Sequence, residues 1–388
     1  MKTVSLVGLG ALLGGVIACS GRYEVGGEAG AGGEGAGRAA GGSATAMGSG
    51  GLAGGRASSG GFGGGGPEAG WSSTDATACE PESAPPPLLG DLVEPEVVWQ
   101  RVTRLIEGEG APPPSNLPTL TTYAWAGDVV TQAFARARLQ GSAPGALSWL
   151  SYWLFRTPAV PEPALEADWS TALLDDSPVL ERLMLEPVAM NRQGVFAERA
   201  WLLGHSSISS RGAGIFSRVF GREVPASPVN APATQPSEEL TRRQELRVVL
   251  DANVACAACH ALMDDLGYAY GHFDELGEYE ESEDGLPIDT SGRLGWLSDG
   301  TGPEPALFEF ADQQELGLAV AESCEARKGV AVSFARAALG LEGVPQEAQF
   351  SLTSPHEARL EQAFLYSDTR SYEDLVRAYA QSPLVLQR

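Results

Sequence analysis

The sequence predicts a mostly α-helical protein with a small β-hairpin, preceded by a disordered Gly-rich tether. Apolar residues recur with helical spacing through most of the chain after residue 92, which is typical of amphipathic helices. Turn-forming pairs surround short alternating segments between residues 277 and 300, and this pattern predicts the hairpin. Glycine, alanine and serine dominate residues 24–78. Such a tract cannot bury enough apolar surface to fold.

The N-terminus resembles a bacterial lipoprotein signal. Residues 1–18 give a short basic start and an apolar stretch that is too short to span a membrane comfortably. The stretch ends in Val16-Ile17-Ala18-Cys19, which is similar to a lipobox. We therefore expect residues 1–18 to be a signal peptide and Cys19 to be lipidated, so that acyl chains anchor the mature protein to the membrane. An ordinary signal peptide is the alternative.

Residues 19–78 form the predicted tether. With roughly 55 flexible residues its mean reach is about 40 Å, so the folded part can stand off the membrane. The glycines do not predict a phosphate-binding loop, because no strand precedes them and no helix with a Lys-Ser or Lys-Thr pair follows.

The chain is strongly acidic, with 50 acidic against 26 basic residues and a net charge of −24. This balance argues against nucleic acid and against an anionic lipid surface as partners. It could steer a cationic redox partner, or it could only keep an envelope protein soluble. About 310 residues follow the tether, enough for one large or two modest domains.

Two helical domains are predicted on either side of a Pro-rich linker. The prolines of residues 225–236 separate an N-terminal domain, 79–224, from a C-terminal domain, 237–388. Aromatic side chains at spacings of three and four fit a core-facing helix better than a ligand platform; they are Trp149, Tyr152, Trp153 and Phe155.

Helices are expected through most of the second domain. Ser237 is the expected N-cap of a helix over Glu238–Asp251. From Pro305 onward the pattern is helical again, and Ser371 with Asp374 predicts a capping box. The expected helices there are Leu316–Ala326, Val330–Leu339, His356–Tyr366 and Tyr372–Ala380.

The most specific motif is Cys256-Ala257-Ala258-Cys259-His260, the attachment signature of c-type haem. Each cysteine sulfur adds to one vinyl group of the porphyrin, and the histidine supplies the proximal iron ligand. Residues 237–388 are therefore expected to form a helical cytochrome-c-like domain that binds one covalent haem c.

Two other kinds of site that use two nearby cysteines remain as alternatives to haem attachment. A structural or redox disulfide needs no further residue, although a thioredoxin-like dithiol would follow a strand and the run before Cys256 is charged and helix-like. A zinc site would need two further ligands, and only His272 lies close in sequence.

Cys79 and Cys324 remain once the lipobox and the haem motif are assigned. In an oxidising compartment they suggest a disulfide that ties the start of the folded region to its C-terminal part. Sequence does not show proximity, so the unpaired state stays an equal alternative.

Short segments occur in a characteristic order between Gln193 and Arg388; they are Gly194-Val195-Phe196, His205-Ser206-Ser207 with Arg211-Gly212, the haem motif with Met263-Asp264 and Leu266-Gly267-Tyr268, Phe273–Tyr279, Pro287–Gly292, and Leu375-Val376-Arg377 with Ser382. On these segments the chain resembles a family of exported cytochrome-like proteins, abundant in planctomycetes and myxobacteria, whose regions are catalogued as domains of unknown function. It departs at Glu280, where members commonly carry arginine, and at Phe220-Gly221-Arg222, where they commonly carry a cysteine.

The resemblance implies a haem c on Cys256 and Cys259 with His260 as proximal ligand, and an envelope redox role whose substrate is not established. Similar proteins often carry a cysteine at the place of Cys324. His205 lies in a family-like segment and is the preferred second iron ligand.

Further side chains could complete the haem site. The other candidates for the second iron ligand are Met184, Met190 and His272, whereas Met263 is expected to pack as core. Four aspartates could orient the site or bind calcium, but capping and turn formation explain them better because the chain lacks a calcium-binding loop; they are Asp264, Asp265, Asp274 and Asp289.

The sequence thus predicts a lipid-anchored c-type cytochrome-like protein that passes electrons to a redox partner protein in the cell envelope, at the periplasmic face or the outer-membrane surface. One alternative is a non-haem lipoprotein scaffold or interaction module whose CxxC forms a disulfide. The other is a haem enzyme, such as a peroxide reductase.

Overall fold

Helices dominate the described part of the chain, which confirms the predicted mostly α fold. The structure is a computed structural model that describes residues 92–109, 111–156, 165–224, 240–252, 254–297, 306–350 and 354–386. The predicted signal peptide with Cys19, the tether, Cys79 and the linker 225–236 lie outside the described residues. None of the described helices is long and apolar enough to cross a membrane.

Five helices open the described chain: α1 (Pro95–Glu107), α2 (Tyr123–Gln140), α3 (Pro144–Phe155), α4 (Trp169–Leu174) and α5 (Val179–Leu185). Proline occupies the first turn of α1 and α3, where its missing N–H leaves no intrahelical bond unmade. The side chain of Thr122 caps α2 by accepting a hydrogen bond from the backbone N–H of Trp125.

A short hairpin that the sequence did not predict follows α5. It pairs β1 (Pro187–Ala189) with β2 (Arg192–Gln193) around Asn191, which has a positive φ of 62°. Strands of two or three residues are too short to show an alternating apolar and polar pattern in the sequence. A 3-10 turn (Val195–Ala197), α6 (Arg199–Gly204) and α7 (Ile208–Val219) come next.

The next two helices lead through the haem motif and are α8 (Arg242–Ala252) and α9 (Val254–Tyr268). The predicted start of α8 at Glu238 is wrong, since Leu240 and Thr241 are not helical. Thr241 instead caps the N-terminus of the helix, because its Oγ1 accepts from the backbone of Gln244 and its N–H donates to the Gln244 side chain. Ser237 lies outside the described residues.

The predicted hairpin is confirmed as β3 (Ser282–Glu283) and β4 (Leu286–Pro287), which pair antiparallel. Its turn residues, Asp284 and Gly285, have φ values of 51° and 82°. Asp-Gly is suited to such a turn, because both positions need a positive φ.

The expectation of a helical pattern directly from Pro305 is wrong. Ala306–Phe310 is strand β6, which pairs antiparallel with β5 (Gly292–Leu297). Leu307 and Glu309 are exposed while Phe310 is buried, so the segment has the alternation of a strand.

The remaining elements are helical: α10 (Gln313–Glu322), α11 (Cys324–Leu341), α12 (Gln346–Phe350), α13 (Ser354–Leu365), α14 (Tyr372–Ala380) and α15 (Pro383–Leu386). The predicted helix over Leu316–Ala326 is interrupted at Ser323, whose side chain caps α11 by accepting from the N–H of Ala326. The predicted capping box of Ser371 and Asp374 is confirmed at the start of α14.

Helices from residues 92–224 and from residues 240–386 share one hydrophobic core. Trp149 on α3 packs with ring centroids 4.9 Å from Phe334 and 5.1 Å from Tyr372. Trp153, fully buried as the aromatic spacing predicted, donates a 2.7 Å hydrogen bond from Nε1 to Ser333 Oγ. The core thus rests on residues far apart in the sequence.

Two glycines let α7 and α9 approach closely. A Cβ added to Gly212 would overlap the carbonyl oxygen of Met263, and one added to Gly267 would overlap that of Ile208. Since both obstacles are backbone atoms, neither can rotate away. The helix that carries the haem motif is therefore fixed against α7.

We expect Gly267→Ala to lower the free energy of unfolding by about 3 kcal/mol, because the added methyl group forces two backbones apart. Urea denaturation of the purified full chain measures this. Gly204→Ala is the control, since a Cβ on that helical glycine meets no atom within 4 Å. Equal stabilities of the two variants would contradict the packing argument.

Candidate haem-binding site

Helix α9 presents the two cysteines and the histidine of the motif on one side. At the α-helical rotation per residue, positions 256, 259 and 260 fall within a sector of about 100°. Neither Cys256 nor Cys259 is in a disulfide, and all three side chains are half-buried. Two sulfurs and one imidazole can therefore address a single ligand from the same helix face.

The imidazole of His260 is oriented by two neighbours. Its Nδ1 lies 2.8 Å from Oδ2 of Asp264, one turn further along α9, and 3.3 Å from Oγ of Ser209 on α7. A carboxylate only accepts hydrogen bonds, so Nδ1 is the ring nitrogen that donates. The lone pair of the neutral imidazole is then on Nε2, the atom that a metal would need.

Asp264 is buried more deeply than a helix cap or turn residue requires. It is 3% exposed, and its Oδ1 has no hydrogen-bond partner in the described part of the chain. A buried carboxylate with one unsatisfied oxygen is unfavourable unless it serves a further purpose. Its bond to His260 identifies that purpose as holding the imidazole.

The segment His205–Gly212 contains a buried arginine that connects α7 to the loop after α9. Arg211 on α7 is fully buried, and burial lowers its pKa to about 10. The guanidinium donates to backbone carbonyls before α7 and after α9; the acceptors are His205, Ser206, Tyr270, Phe273 and Asp274. Arg211 therefore ties the segment before α7 to the loop after α9.

The structure does not bring His205 together with His260. His205 stacks on Trp201 with ring centroids 4.3 Å apart and closes over Gly214 of α7. Gly214 is rotated by about 200° from Gly212, which contacts α9, so the imidazole lies on the opposite side of α7. Its role as second iron ligand stays a prediction without support from this geometry.

His205 makes the stability of the protein dependent on pH. Burial lowers the pKa of His205 to about 4, against 6.5 in an exposed histidine. The unfolded chain therefore takes up a proton first as the pH falls, and stability is lost between pH 6.5 and 4 by about 3 kcal/mol. His205→Phe keeps the ring packing and should lack this loss, as unfolding free energies at pH 7 and pH 4 would reveal. Parallel pH profiles would rule the effect out.

The other candidates for the second iron ligand also have structural surroundings. Met184 is fully buried in α5, and Met190 is 87% exposed at the β1–β2 turn. His272 bonds through Nδ1 to the carbonyl of Glu280 at 2.8 Å. Met263 packs in the core, as expected.

Cys324 is buried at the start of α11 and is disulfide-bonded. Its proposed partner, Cys79, lies outside the described residues, so their pairing stays a prediction. Within the described ranges, no three or more histidine, cysteine or acidic side chains gather in a way that could hold a metal ion.

The role of Ser209 and the carbonyl network of Arg211 were not predicted from the sequence. No local signal marks Ser209, because its partner is 51 residues away. Arg211 follows a reciprocal capping box of Ser207 and Ser210, but three of the five carbonyls that it binds belong to the loop after α9, about 60 residues away.

The fold and this site define a helical protein in which one helix carries a Cys-x-x-Cys-His segment oriented by a buried aspartate. Residues 192–283 match the family described as PSCyt3, a protein of unknown function (DUF1588). The match includes the Arg211 network and all of α9, and the family's name suggests a cytochrome-like character. No curated protein and no solved structure matches the chain.

Proposed function

We propose that the protein is a membrane-anchored c-type cytochrome-like electron carrier of the cell envelope. Cys256 and Cys259 would hold one haem c through thioether bonds, and His260 would ligate its iron through Nε2. The observation that carries this proposal is the bond between Asp264 and His260 Nδ1, which leaves Nε2 as the metal-binding nitrogen on the helix face that also carries Cys256 and Cys259.

The residues present fit such a group. The donor set is that of a c-type haem, and the unsatisfied Oδ1 adds negative charge beside the imidazole. Bound haem would supply one-electron redox chemistry. The chain would supply the rest: Asp264 keeps the proton on Nδ1 of His260, Ser209 fixes the ring from α7, and the glycine contact keeps the two helices together.

The surroundings proposed for this carrier follow from the remainder of the sequence. Lipidated Cys19 would hold it to the membrane, and the Gly-rich tether would let the folded part reach a redox partner protein. The net charge of −24 would favour a partner with a basic docking surface.

The intact mass of full-length protein from a native envelope fraction tests the proposal. We expect one haem per chain and acyl groups on Cys19, with the haem resistant to acid-acetone extraction. Cys256→Ser with Cys259→Ser should abolish haem attachment, whereas His356→Ala, on α13, should leave it unchanged. A native protein whose two sulfurs are joined to each other, with no tetrapyrrole, would overturn the proposal and favour the scaffold alternative.

A further inference from the structure

An exposed apolar patch surrounds Gly277, in the loop that follows α9. Leu276 is 61% exposed and Tyr279 is 38% exposed. Leu203, on α6, is 50% exposed, and it follows Leu202, whose Cβ lies 3.1 Å from the position of a Cβ added to Gly277. Three large apolar side chains therefore reach solvent around one contact, which is typical of a surface that binds another molecule.

The loop that carries this patch, residues 273–285, is strongly acidic. It contains seven carboxylates and no basic residue. Glu275, Glu281 and Asp284 are exposed, and none of them forms an ion pair within the described part of the chain. The pairs that do form join the loop to arginines of other segments; they are Glu278 with Arg199, and Glu280 and Glu283 with Arg242.

Arginines hold the backbone of this acidic loop from the protein side. Nη2 of Arg192 donates to the carbonyl of Gly277 at 2.6 Å, and Nη1 of Arg211 donates to that of Phe273 at 2.6 Å. An antiparallel bridge between Phe273 and Tyr279 closes the turn. Because the backbone is already fixed, little conformational entropy is lost when a partner binds the exposed side chains.

The arginines do not neutralise the loop. Burial raises the pKa of Glu280, and Glu283 and Asp274 raise it further against the opposing charge of Arg242. Among the described residues, four arginines form hydrogen bonds or ion pairs with the loop, against its seven carboxylates; they are Arg192, Arg199, Arg211 and Arg242. The exposed side of the loop therefore keeps a negative potential around its apolar side chains.

We propose that residues 273–285, with Leu203, form the docking surface for a redox partner protein that presents an apolar centre inside a basic rim. Burial of the apolar side chains stabilises the complex, and the unpaired carboxylates steer and orient the partner. A partner with an acidic surface is repelled. That the partner is a redox protein rests on the proposed function, whereas the docking surface itself needs no haem.

Titration calorimetry of the full chain tests this surface, with a mitochondrial cytochrome c, a basic redox protein, as the probe. We expect saturable binding that salt weakens. Glu275→Gln, Glu281→Gln and Asp284→Asn together should weaken it about tenfold or more. The matched control removes the same charge at exposed positions elsewhere and should change the affinity by less than about twofold; it carries Glu96→Gln, Asp128→Asn and Asp368→Asn. Equal weakening by the two triple variants would show attraction by net charge alone and overturn the proposal.

A single substitution tests the apolar part of the surface. Leu276→Ser should weaken binding of the probe about fivefold without changing the salt dependence, because the lost contact is apolar. Leu139→Ser is the control, since Leu139 on α2 is 88% exposed and lies outside the loop. Equal affinities of these two variants would mean that no apolar contact forms, which contradicts the proposed docking surface.

A second arm separates the docking surface from the proposed function. The titration is repeated on native protein and on the full chain with Cys256→Ser and Cys259→Ser, which cannot hold haem and whose folding circular dichroism verifies. Binding to both forms supports the docking surface, even where the native protein carries no haem and the proposed function is thereby overturned. Binding to neither form, or to the haem-bearing form alone, overturns the docking surface and leaves the proposed function standing if haem is present.

Discussion

Arg211→Met should lower the free energy of unfolding by about 4 kcal/mol. Five backbone carbonyls accept from this guanidinium. Those of Tyr270, Phe273 and Asp274 keep one other donor in the variant, whereas those of His205 and Ser206 lose the donor that the described residues give them. Each buried carbonyl left without a donor costs about 1 to 3 kcal/mol, and each lost hydrogen bond to a charged group costs a similar amount. Methionine fills a similar volume but donates nothing. Removing a buried charge offsets part of the loss, which is why the expected total stays below the sum for five carbonyls.

Chemical denaturation of the full chain, monitored by circular dichroism, measures the effect of Arg211→Met. Arg199→Met is the matched control, because Arg199 is about half exposed and pairs with Glu278 at the surface; its loss should stay below about 1 kcal/mol. If Arg211→Met is no more destabilised than this control, then the carbonyl network does not hold the α7–α9 pair together.

The sequence predicted elements whose signals are local. Asp284-Gly285 predicted the β3–β4 turn because the two positive φ values depend on those two residues alone. Ser371 and Asp374 predicted the start of α14 because a capping box closes within four residues. Trp149 and Trp153 predicted a buried face because helical spacing fixes which side chains share a side.

Elements that depend on distant partners were not predicted. Strand β6 forms by pairing with β5. Its five residues were not recognised as a strand from the sequence alone. The start of α8 depends on the reciprocal capping bonds of Thr241 and Gln244. This pair was overlooked because Ser237, a common N-cap residue, lies four residues earlier.

The candidate site likewise combines residues that the sequence predicted with a residue whose role only the structure shows. The spacing of Cys256, Cys259 and His260 predicted one site from sequence alone, and α9 places the three on one helix face. Asp264 was assigned to capping or a turn because the chain lacks a calcium-binding loop, whereas it lies inside α9, which continues to Tyr268. A carboxylate four residues after a histidine in mid-helix can reach its ring, whereas at a helix end it can cap.

Asp264→Asn should raise the reduction potential of the proposed haem by about 60 mV or more. The asparagine oxygen can still accept from Nδ1 of His260, so the ring keeps its orientation while the negative charge is lost. A less basic imidazole stabilises ferric iron less. Substitution of the hydrogen-bond partner of a metal-ligating histidine changes metal affinity about tenfold to a hundredfold. For one electron, a tenfold change corresponds to about 59 mV.

Redox titration of the Asp264→Asn full chain measures this shift, with Asp274→Asn as the control. Asp274 is also an aspartate of the matched region, but its Oδ1 accepts from the backbone of Leu276 and Glu278 in the loop after α9. Asp264→Leu should go further and weaken the bond between His260 and the iron, visible as high-spin iron, because the ring then loses its charged acceptor and keeps only the longer contact with Ser209. An unchanged potential in Asp264→Asn would mean that the carboxylate serves packing alone and that His260 needs no charged partner.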